Sequence, residues 1–216
     1  MIKALFNLFL LVGSEWVLWI LAACSLLSLA VIFERSRKLG VQERIGRKLW
    51  KTHLAPWIDQ GVPEHWEARA FDLSKQYSCV ESRLLQTFAK SSKNGTSKGT
   101  PDIHGLSQSF LISERMELER YLAILGTLGN SAPFIGLFGT VLGIIRAFAE
   151  LNSATGNTGL NTVSGGLAEA LVTTATGLLV AIPSAIAFNY YQRSIKAIVS
   201  RSMSLTELVS SHLRNQ

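Results

Sequence analysis

Three long stretches without a charged side chain are the strongest constraint that this sequence places on its fold. They run from Trp16 to Phe33, from Tyr121 to Ile145, and between Glu169 and Arg193. A membrane-spanning helix needs about 20 mostly apolar residues, and each stretch is long enough. Only helices and closed barrels satisfy the backbone in lipid, and these stretches lack the two-residue alternation of barrel strands. The sequence therefore predicts an all-α membrane protein with three transmembrane helices.

The distribution of basic residues predicts how the three spans are oriented. Of the 21 Lys and Arg residues, 15 lie between Arg35 and Arg120 and four lie between Arg193 and Arg214, whereas 151–168 contains none. Because basic segments stay on the cytoplasmic side, we expect the N-terminus outside and the C-terminus inside. The net charge of +6 does not predict nucleic-acid binding, because no aromatic-studded basic stripe accompanies it.

Hydrophobic periodicity and composition divide the chain into seven predicted segments. They are an interfacial amphipathic helix (1–13), transmembrane helix 1 (14–34), a cytoplasmic helical segment (35–120) with a flexible linker at 91–105, transmembrane helix 2 (121–150), a short periplasmic loop (151–165), transmembrane helix 3 (166–192) and a cytoplasmic C-terminal helix (193–216). Helical periodicity before the second span and after the third predicts that both spans continue as long cytoplasmic extensions. The helix that starts near Ser107 is expected to run unbroken into span two.

Small residues recur on one helical face of each of the last two spans. The members are Gly136, Gly139 and Gly143 in span two, and Ala170, Gly177 and Ala181 in span three. Small faces let membrane helices approach closely and gain van der Waals contact. The spacing leaves open whether the contact forms within one subunit or as an oligomer interface between subunits.

Hydroxyl and charged side chains inside the spans are the candidates for an ion pathway. Thr140 and Thr174 could hold waters that carry protons, although a membrane threonine often bonds only its own helix backbone. Glu169 is a costly charge near the outer end of span three, and either an ion pathway or an ion pair between spans would explain it. Arg146 and Glu150 are one turn apart and predict an i, i+4 ion pair.

Two prolines and the absence of reactive motifs complete the prediction from residues. Pro133 and Pro183 each remove a backbone hydrogen bond from a span and are expected to bend it. The four histidines are scattered through the soluble segments, and the sequence has no nucleophile elbow, Cys/His metal spacing or paired carboxylates. We therefore expect no enzymatic activity, no metal and no cofactor.

Two sequence blocks carry a resemblance to a known family. Residues 129–143 read GNSAPFIGLFGTVLG, and residues 166–183 read GLAEALVTTATGLLVAIP. These blocks resemble the ExbB/TolQ/MotA proton-channel family, and the likeness is closest to its ExbB and TolQ branch. It is strong over about residues 110–192 and is only topological elsewhere.

The resemblance implies a ring of five copies in which spans two and three line a central pore. Two single-span ExbD- or TolR-like partners would lie inside the ring and supply the aspartate that exchanges protons. Proton flow across the inner membrane would then drive motion that is delivered to the cell envelope. Matched residue by residue, the resemblance assigns pore-lining roles to Thr140 and Thr174. It also matches Glu169 to the family's span-three glutamate and Pro183 to its Ala-Ile-Pro motif.

Helix geometry limits this assignment and leaves alternatives open. At 100° per residue Thr174 lies in the small stripe of span three, whereas Glu169 lies about 140° away from it. Both therefore cannot face one narrow pore on an ideal helix, so Glu169 faces a neighbouring subunit or a distortion of the helix changes its direction.

The alternative function is a structural scaffold whose small faces serve packing only. A small-solute carrier is disfavoured because three unequal spans lack repeated halves. The envelope process that is driven, whether outer-membrane transport, Tol-type constriction or gliding, stays open.

Overall fold

The described residues are almost entirely helical. The computed structural model describes residues 15–94, 102–153 and 158–214. The predicted interfacial helix at 1–13 lies outside this part of the chain. The elements are α1 (Glu15–Leu49), a π-helical segment (Trp50–Leu54), α2 (Pro56–Gln60), α3 (Trp66–Gln76), α4 (Val80–Asn94), α5 (Ile103–Glu119), α6 (Leu122–Ser153) and α7 (Thr158–Arg214).

Three of these helices are long and apolar enough to cross a membrane. They are α1, α6 and α7, whose apolar segments have mean hydropathies of 2.4, 1.7 and 1.9. An all-helical protein with three candidate membrane spans was predicted, and at this level the prediction is confirmed. The apolar stretches suit a membrane because a helix forms all of its backbone hydrogen bonds internally and needs no water to do so.

The chain divides into two compact units. The apolar unit contains the described residues up to Phe33 together with Tyr121–Asn189, and the charged unit contains Glu34–Arg120 together with the residues from Tyr190 onward. The division on α1 falls at Glu34, the first charged residue after the apolar stretch that begins at Trp16.

Helices extend into two segments that the sequence predicted as irregular. α6 continues to Ser153 and α7 begins at Thr158, so much of the loop expected at 151–165 is helical. Just after the predicted loop α7 packs against α6, because a Cβ added to Gly166 would lie only 2.9 Å from the Ala147 Cβ.

The linker predicted at 91–105 is helical at both ends. α4 continues to Asn94 and α5 begins at Ile103, while residues 95–101 lie outside the described part of the chain. The Asp102 carboxylate accepts a hydrogen bond from the Gly105 backbone N–H at 2.9 Å. This N-cap satisfies one of the unpaired donors at the start of α5 and fixes where that helix begins.

The prediction of an unbroken helix from near Ser107 into span two is wrong. α5 ends at Glu119 and α6 begins at Leu122. Between them Tyr121 has a φ of 63°, a left-handed conformation that residues other than glycine rarely adopt. The expected long extension of span two is therefore a separate helix, whereas α7 continues without a break to Arg214.

The two prolines in the spans do not end their helices. Pro133 lies inside α6 and Pro183 lies inside α7, and both helices continue on either side. The neighbouring turns keep their own hydrogen bonds, so a single missing N–H does not stop the helix. The predicted bends at Pro133 and Pro183 stay predictions.

The charged unit contains a buried ion pair that joins two of its helices. Arg201 Nε of α7 donates to Glu81 Oε1 of α4 at 2.9 Å, and the Glu81 side chain is 1% exposed. α1 approaches the same carboxylate at Gly46, where an added Cβ would lie 2.6 Å from Glu81 Oε1. The same unit also contains fully buried apolar side chains, including Trp66, Leu84, Leu85, Phe88, Ile195 and Ile198. Three helices therefore meet at one buried carboxylate.

We expect Arg201→Ala to destabilise the charged unit strongly. Removing the guanidinium leaves Glu81 buried without its ion-pair partner, which typically costs about 3–5 kcal/mol. The measurement is urea unfolding of the purified full-length protein in detergent, followed by tryptophan fluorescence. The control is Arg115→Ala, which removes the exposed Arg115–Glu119 pair and is expected to cost about 1 kcal/mol or less. Equal losses in the two variants would contradict the role assigned to the buried pair.

A second carboxylate joins α1 to α7. The Ser194 hydroxyl donates to Glu43 Oε2 at 2.8 Å, and Arg47 pairs with the other carboxylate oxygen. The Ser194 hydrogen bond, followed by the Arg47 interactions, lowers the pKa of Glu43 below its ordinary value of 4.5. Glu43 is therefore ionised at neutral pH and stabilises the contact between the two helices.

The Glu43 contact is expected to weaken in acid. Because its pKa is lower in the folded state than in the unfolded chain, its stabilisation is fully present above pH 4.5 and is lost as the pH falls toward the lowered pKa. Ser194→Ala should therefore reduce the free energy of unfolding at pH 7, and its difference from wild type should shrink between about pH 5 and about pH 3. Urea unfolding across this range measures it, with the exposed Ser200→Ala as control. A difference that stays constant with pH contradicts the assignment.

Candidate functional site

The backbones of α6 and α7 touch at two glycines. A Cβ added to Gly136 would lie 2.8 Å from the Thr173 carbonyl oxygen, and one added to Gly177 would lie 2.7 Å from the Ala132 carbonyl oxygen. The added Gly177 Cβ would also lie 3.0 Å from the Gly136 Cα. Real side chains do not fit at such distances, so only glycine allows this approach. The small faces of the two helices therefore meet within a single chain.

Other small residues extend this contact in both directions. A Cβ added to Gly143 would lie 2.7 Å from the Ala170 Cβ, and one added to Gly129 would lie 3.1 Å from Ala185. Ala181 is buried in a cluster with Ala132, Leu142, Val180 and two residues of α1, Val17 and Leu21. Close contact of small residues gains the dispersion energy that holds membrane helices together where lipid offers no hydrophobic driving force.

α1 reaches the centre of this contact at Gly139. A Cβ added there would lie 3.1 Å from the Val17 Cγ1 and 2.9 Å from the Thr173 Oγ1. Gly139 therefore faces both α1 and α7, and its lack of a side chain lets three helices pack around one point.

Two threonine hydroxyls lie beside the Gly136 carbonyl, and a third lies beside one of them. Thr174 Oγ1 donates to the Gly136 carbonyl oxygen at 3.2 Å, and Thr173 Oγ1 lies 3.4 Å from the same oxygen while donating to the Ala170 carbonyl at 2.6 Å. Thr140 Oγ1 donates to the Leu137 carbonyl at 2.6 Å and lies 3.5 Å from Thr174 Oγ1. Thr140, Thr173 and Thr174, together with this carbonyl, are called the threonine cluster below.

The sequence selected two members of the cluster and missed the third. Thr140 and Thr174 were predicted site residues, and the structure brings them together within one chain. Thr173 was not selected, yet its side chain is fully buried at the contact. Its spacing of three residues from Ala170 and four from Gly177 was the signal that could have found it, because these steps place all three on one helix face.

The hydrogen bonds of the cluster define what it can do chemically. The hydroxyl protons of Thr140 and Thr174 point to backbone carbonyls of the helices. A hydroxyl oxygen has two acceptor lone pairs, so each keeps capacity to accept a hydrogen bond from water or from a protonated group. Thr140 is 8% exposed and Thr174 is half-buried. The cluster is thus a polar spot within an apolar helix pair that can receive a proton donor.

Glu169 lies on a different face of α7 from the cluster. Its side chain is exposed in the single chain, five residues before the half-buried Thr174. α7 runs through both positions without a break, so the separation of about 140° expected for an ideal helix applies. Glu169 and Thr174 therefore do not converge on one point within a single chain.

Arg146 and Glu150 form an ion pair on α6. Arg146 Nε lies 3.0 Å from Glu150 Oε1, and both side chains are 42% exposed. The pair has the i, i+4 spacing of neighbouring residues on a helix surface. It places opposite charges beside each other near one end of α6, away from the threonine cluster around Gly136.

We expect Gly136→Ala to weaken the packing of α6 on α7. The new methyl group meets the Thr173 carbonyl oxygen at 2.8 Å, so the helices must move apart, at a cost of about 1–3 kcal/mol. The measurement is thermal unfolding of the full-length protein in detergent. Gly165→Ala is the matched control, because a Cβ there meets nothing within 4 Å. A Gly136→Ala variant as stable as the Gly165→Ala variant would contradict the close contact.

Three apolar helices, two of them in backbone contact beside a cluster of hydroxyls, define this chain as a multi-pass helical membrane protein. The MotA/TolQ/ExbB proton channel family matches residues 81–203, which include the threonine cluster and both partners of the Glu81–Arg201 pair. The chain belongs to this family, and the resemblance inferred from the sequence is confirmed.

Individual relatives match most of the chain. It is 32% identical over 203 residues to the Tol-Pal system protein TolQ of Pseudomonas aeruginosa, covering 87% of this chain and 81% of the relative. It is 33% identical to TolQ of Haemophilus influenzae, covering 85% and 81%. It is 30% identical over 183 residues to the biopolymer transport protein ExbB of Salmonella typhimurium, covering 81% and 71%. Both the TolQ and the ExbB types are therefore similar to this chain.

Proposed function

We propose that this chain is the proton-channel subunit of an inner-membrane stator. With a single-span partner of the ExbD or TolR type, it converts the proton motive force into mechanical work on the cell envelope. Membership of a proton channel family supports the class of function. The observation that carries the proposal is the threonine cluster, which sets hydroxyl oxygens around a backbone carbonyl in an otherwise apolar pair of helices.

The proton-exchanging carboxylate must come from the partner. The three aspartates of this chain, Asp59, Asp72 and Asp102, all lie outside its apolar stretches. Hydroxyl groups titrate far from neutral pH and cannot store a proton, but they can orient a water or a carboxylic acid. In this proposal Thr140 and Thr174 receive the partner's acid, and the partner's carboxylate carries the proton.

Several copies are needed to enclose such a partner. α6 and α7 expose large apolar side chains, including Leu137, Val141, Leu171, Val172 and Leu179, which lipid or neighbouring copies must cover. We propose a ring of five copies around two partner helices, a number that follows from the resemblance. In this arrangement the N-terminus is periplasmic and the C-terminal part of α7 is cytoplasmic, as the distribution of Lys and Arg favours.

Glu169 is proposed to act at the outer end of the pathway. A carboxylate in an apolar helix surface is costly in lipid, and its exposure in the single chain favours a position facing water or a neighbouring copy. The angular separation from Thr174 means that it serves a different part of the route from the threonine cluster.

We expect the double variant Thr140→Ala/Thr174→Ala to assemble normally but to lose proton flux. Both hydroxyls bond helix carbonyls that already have backbone partners, so the fold keeps its ladder of hydrogen bonds. Losing both acceptors should bring flux in liposomes containing the co-purified partner down to the background of empty liposomes. Native mass spectrometry of the purified complex counts the copies and shows whether assembly is intact.

Thr176→Ala is the matched control for this experiment. Thr176 Oγ1 bonds the Val172 carbonyl on the same helix and is not part of the cluster. Wild-type flux in the double variant would contradict the pore assignment and favour a scaffold whose small faces serve packing only. Glu169→Gln in the same assay tests the second site, and unchanged flux there would remove Glu169 from the pathway.

A further inference from the structure

A cationic cleft lies on the charged unit just beyond the apolar stretch of α1. Its volume is about 480 Å³, and its lining includes Arg44, Arg47 and Lys48 of α1, Lys51 of the π-helical segment and Tyr190 of α7. The only acidic residue in the lining is Glu43. The cleft therefore has a surplus of positive charge and enough room for a whole polar group, not merely for water.

Three of the four cations have no partner that neutralises them. Glu43 is already engaged by Ser194 and by Arg47, and its lowered pKa shows that it stays ionised in this arrangement. Arg44, Lys48 and Lys51 are exposed and form no ion pair among the residues that the structure describes. Like charges on adjacent turns repel each other, so this arrangement favours an anion between them.

The three unpaired cations lie close together along the chain and line the same cleft. Arg44 and Lys48 are four residues apart on one face of α1, and Lys51, one residue into the π-helical segment that follows, lines the same cleft. Gly40 precedes Arg44 by one turn on the same face, and a Cβ added there would meet nothing within 4 Å. Because side chains on a helix lean toward its N-terminus, the three cations lean toward Gly40 and toward the end of α1 that carries the apolar stretch.

The position along the chain identifies the source of the anion. Gly40 is seven residues past Phe33, which corresponds to about 10 Å of helix, and Tyr190 directly follows the apolar part of α7. Residues 35–51 contain seven Lys or Arg and one Glu. Basic clusters immediately after a membrane span attract anionic lipids, and tyrosine is common at the level of the headgroups.

We propose that this cleft binds the phosphate-bearing headgroup of an anionic phospholipid. The phosphate would lie beside Gly40 and accept hydrogen bonds from Arg44 and Lys48, while Lys51 and the Tyr190 hydroxyl bind the polar end of the headgroup. Arg and Lys are suited to this because both donate charge-assisted hydrogen bonds to phosphate oxygens. The inference rests on the proposed membrane topology and is independent of proton conduction.

The test is a lipid titration of the purified full-length protein in detergent, followed by native mass spectrometry. We expect phosphatidylglycerol to bind more tightly than phosphatidylethanolamine. In Arg44→Ala/Lys48→Ala/Lys51→Ala this affinity should fall at least about tenfold. The control is Lys75→Ala/Lys90→Ala/Lys196→Ala, which removes the same charge from exposed positions outside the cleft and should change the affinity less than about twofold.

A second variant separates the cleft from general charge attraction. Gly40→Leu keeps every charge and fills open space next to Arg44, and it should weaken phosphatidylglycerol binding about as much as the triple variant. Equal weakening by the control triple, no effect of Gly40→Leu, or displacement of the lipid by millimolar inorganic phosphate would each overturn the proposal.

Two further measurements distinguish this proposal from the proposed function. Labelling of Thr52→Cys from one side of sealed vesicles reports the side on which the cleft lies, and labelling from the periplasmic side would overturn the lipid site as proposed. Normal lipid binding in a protein that conducts no protons would contradict the proposed channel function without contradicting the lipid site.

Discussion

The backbone contact between α6 and α7 is the interaction on which the rest of the apolar unit depends. Gly136 and Gly177 remove the side chains that would hold the helices apart, and each glycine places its Cα next to the backbone of the other helix. In lipid no hydrophobic driving force brings helices together, so the gain comes from dispersion over this close surface. The same contact exposes the Gly136 carbonyl to α7, where Thr173 and Thr174 reach it. Packing and polarity therefore share one cause: an absent side chain lets the helices touch and makes a carbonyl accessible to hydroxyls.

In the charged unit a glycine likewise allows a close approach, here of a helix to a buried carboxylate. Gly46 lets α1 approach the Glu81 carboxylate, which Arg201 pairs with from α7. A buried ion pair often contributes little net stability compared with apolar residues, but it penalises every arrangement in which its partners separate. Here the pair ties α4 to α7 at a point that α1 also contacts. α7 contributes Thr173 and Thr174 to the apolar unit, and it contributes Ser194 and Arg201 to the charged unit.

The parts of the structure that depend on periodicity could be predicted from the sequence. The three spans follow from charge-free length, and the faces that meet follow from the steps between small residues and from the resemblance of two blocks to a known family. Tyr121 shows the limit of this reasoning, because a break without Gly or Pro leaves no local signal. The segment 151–165 shows the opposite error, since its Gly, Asn and Ser suggested a loop where α6 continues to Ser153 and α7 begins at Thr158. In both places local composition is a weak guide to where a helix ends.

The candidate site shows why composition identifies which face of a helix makes a close contact but not which helix it contacts. The small stripes of spans two and three predicted close contact, yet the same stripes would suit an interface between subunits, and only the distances between Gly136 and Gly177 assign the contact to one chain. That assignment limits which surfaces are left for contacts between copies in the proposed ring. Because the glycine faces are occupied within the chain, the copies of the proposed ring would meet through exposed side chains such as Leu171 and Val172, or through Glu169. Such a ring would be packed less closely between subunits than within one, because side chains would replace glycine at the contact. Each α6/α7 pair would then behave as a fixed unit, and any motion driven by protons would occur between subunits or between the ring and its partner.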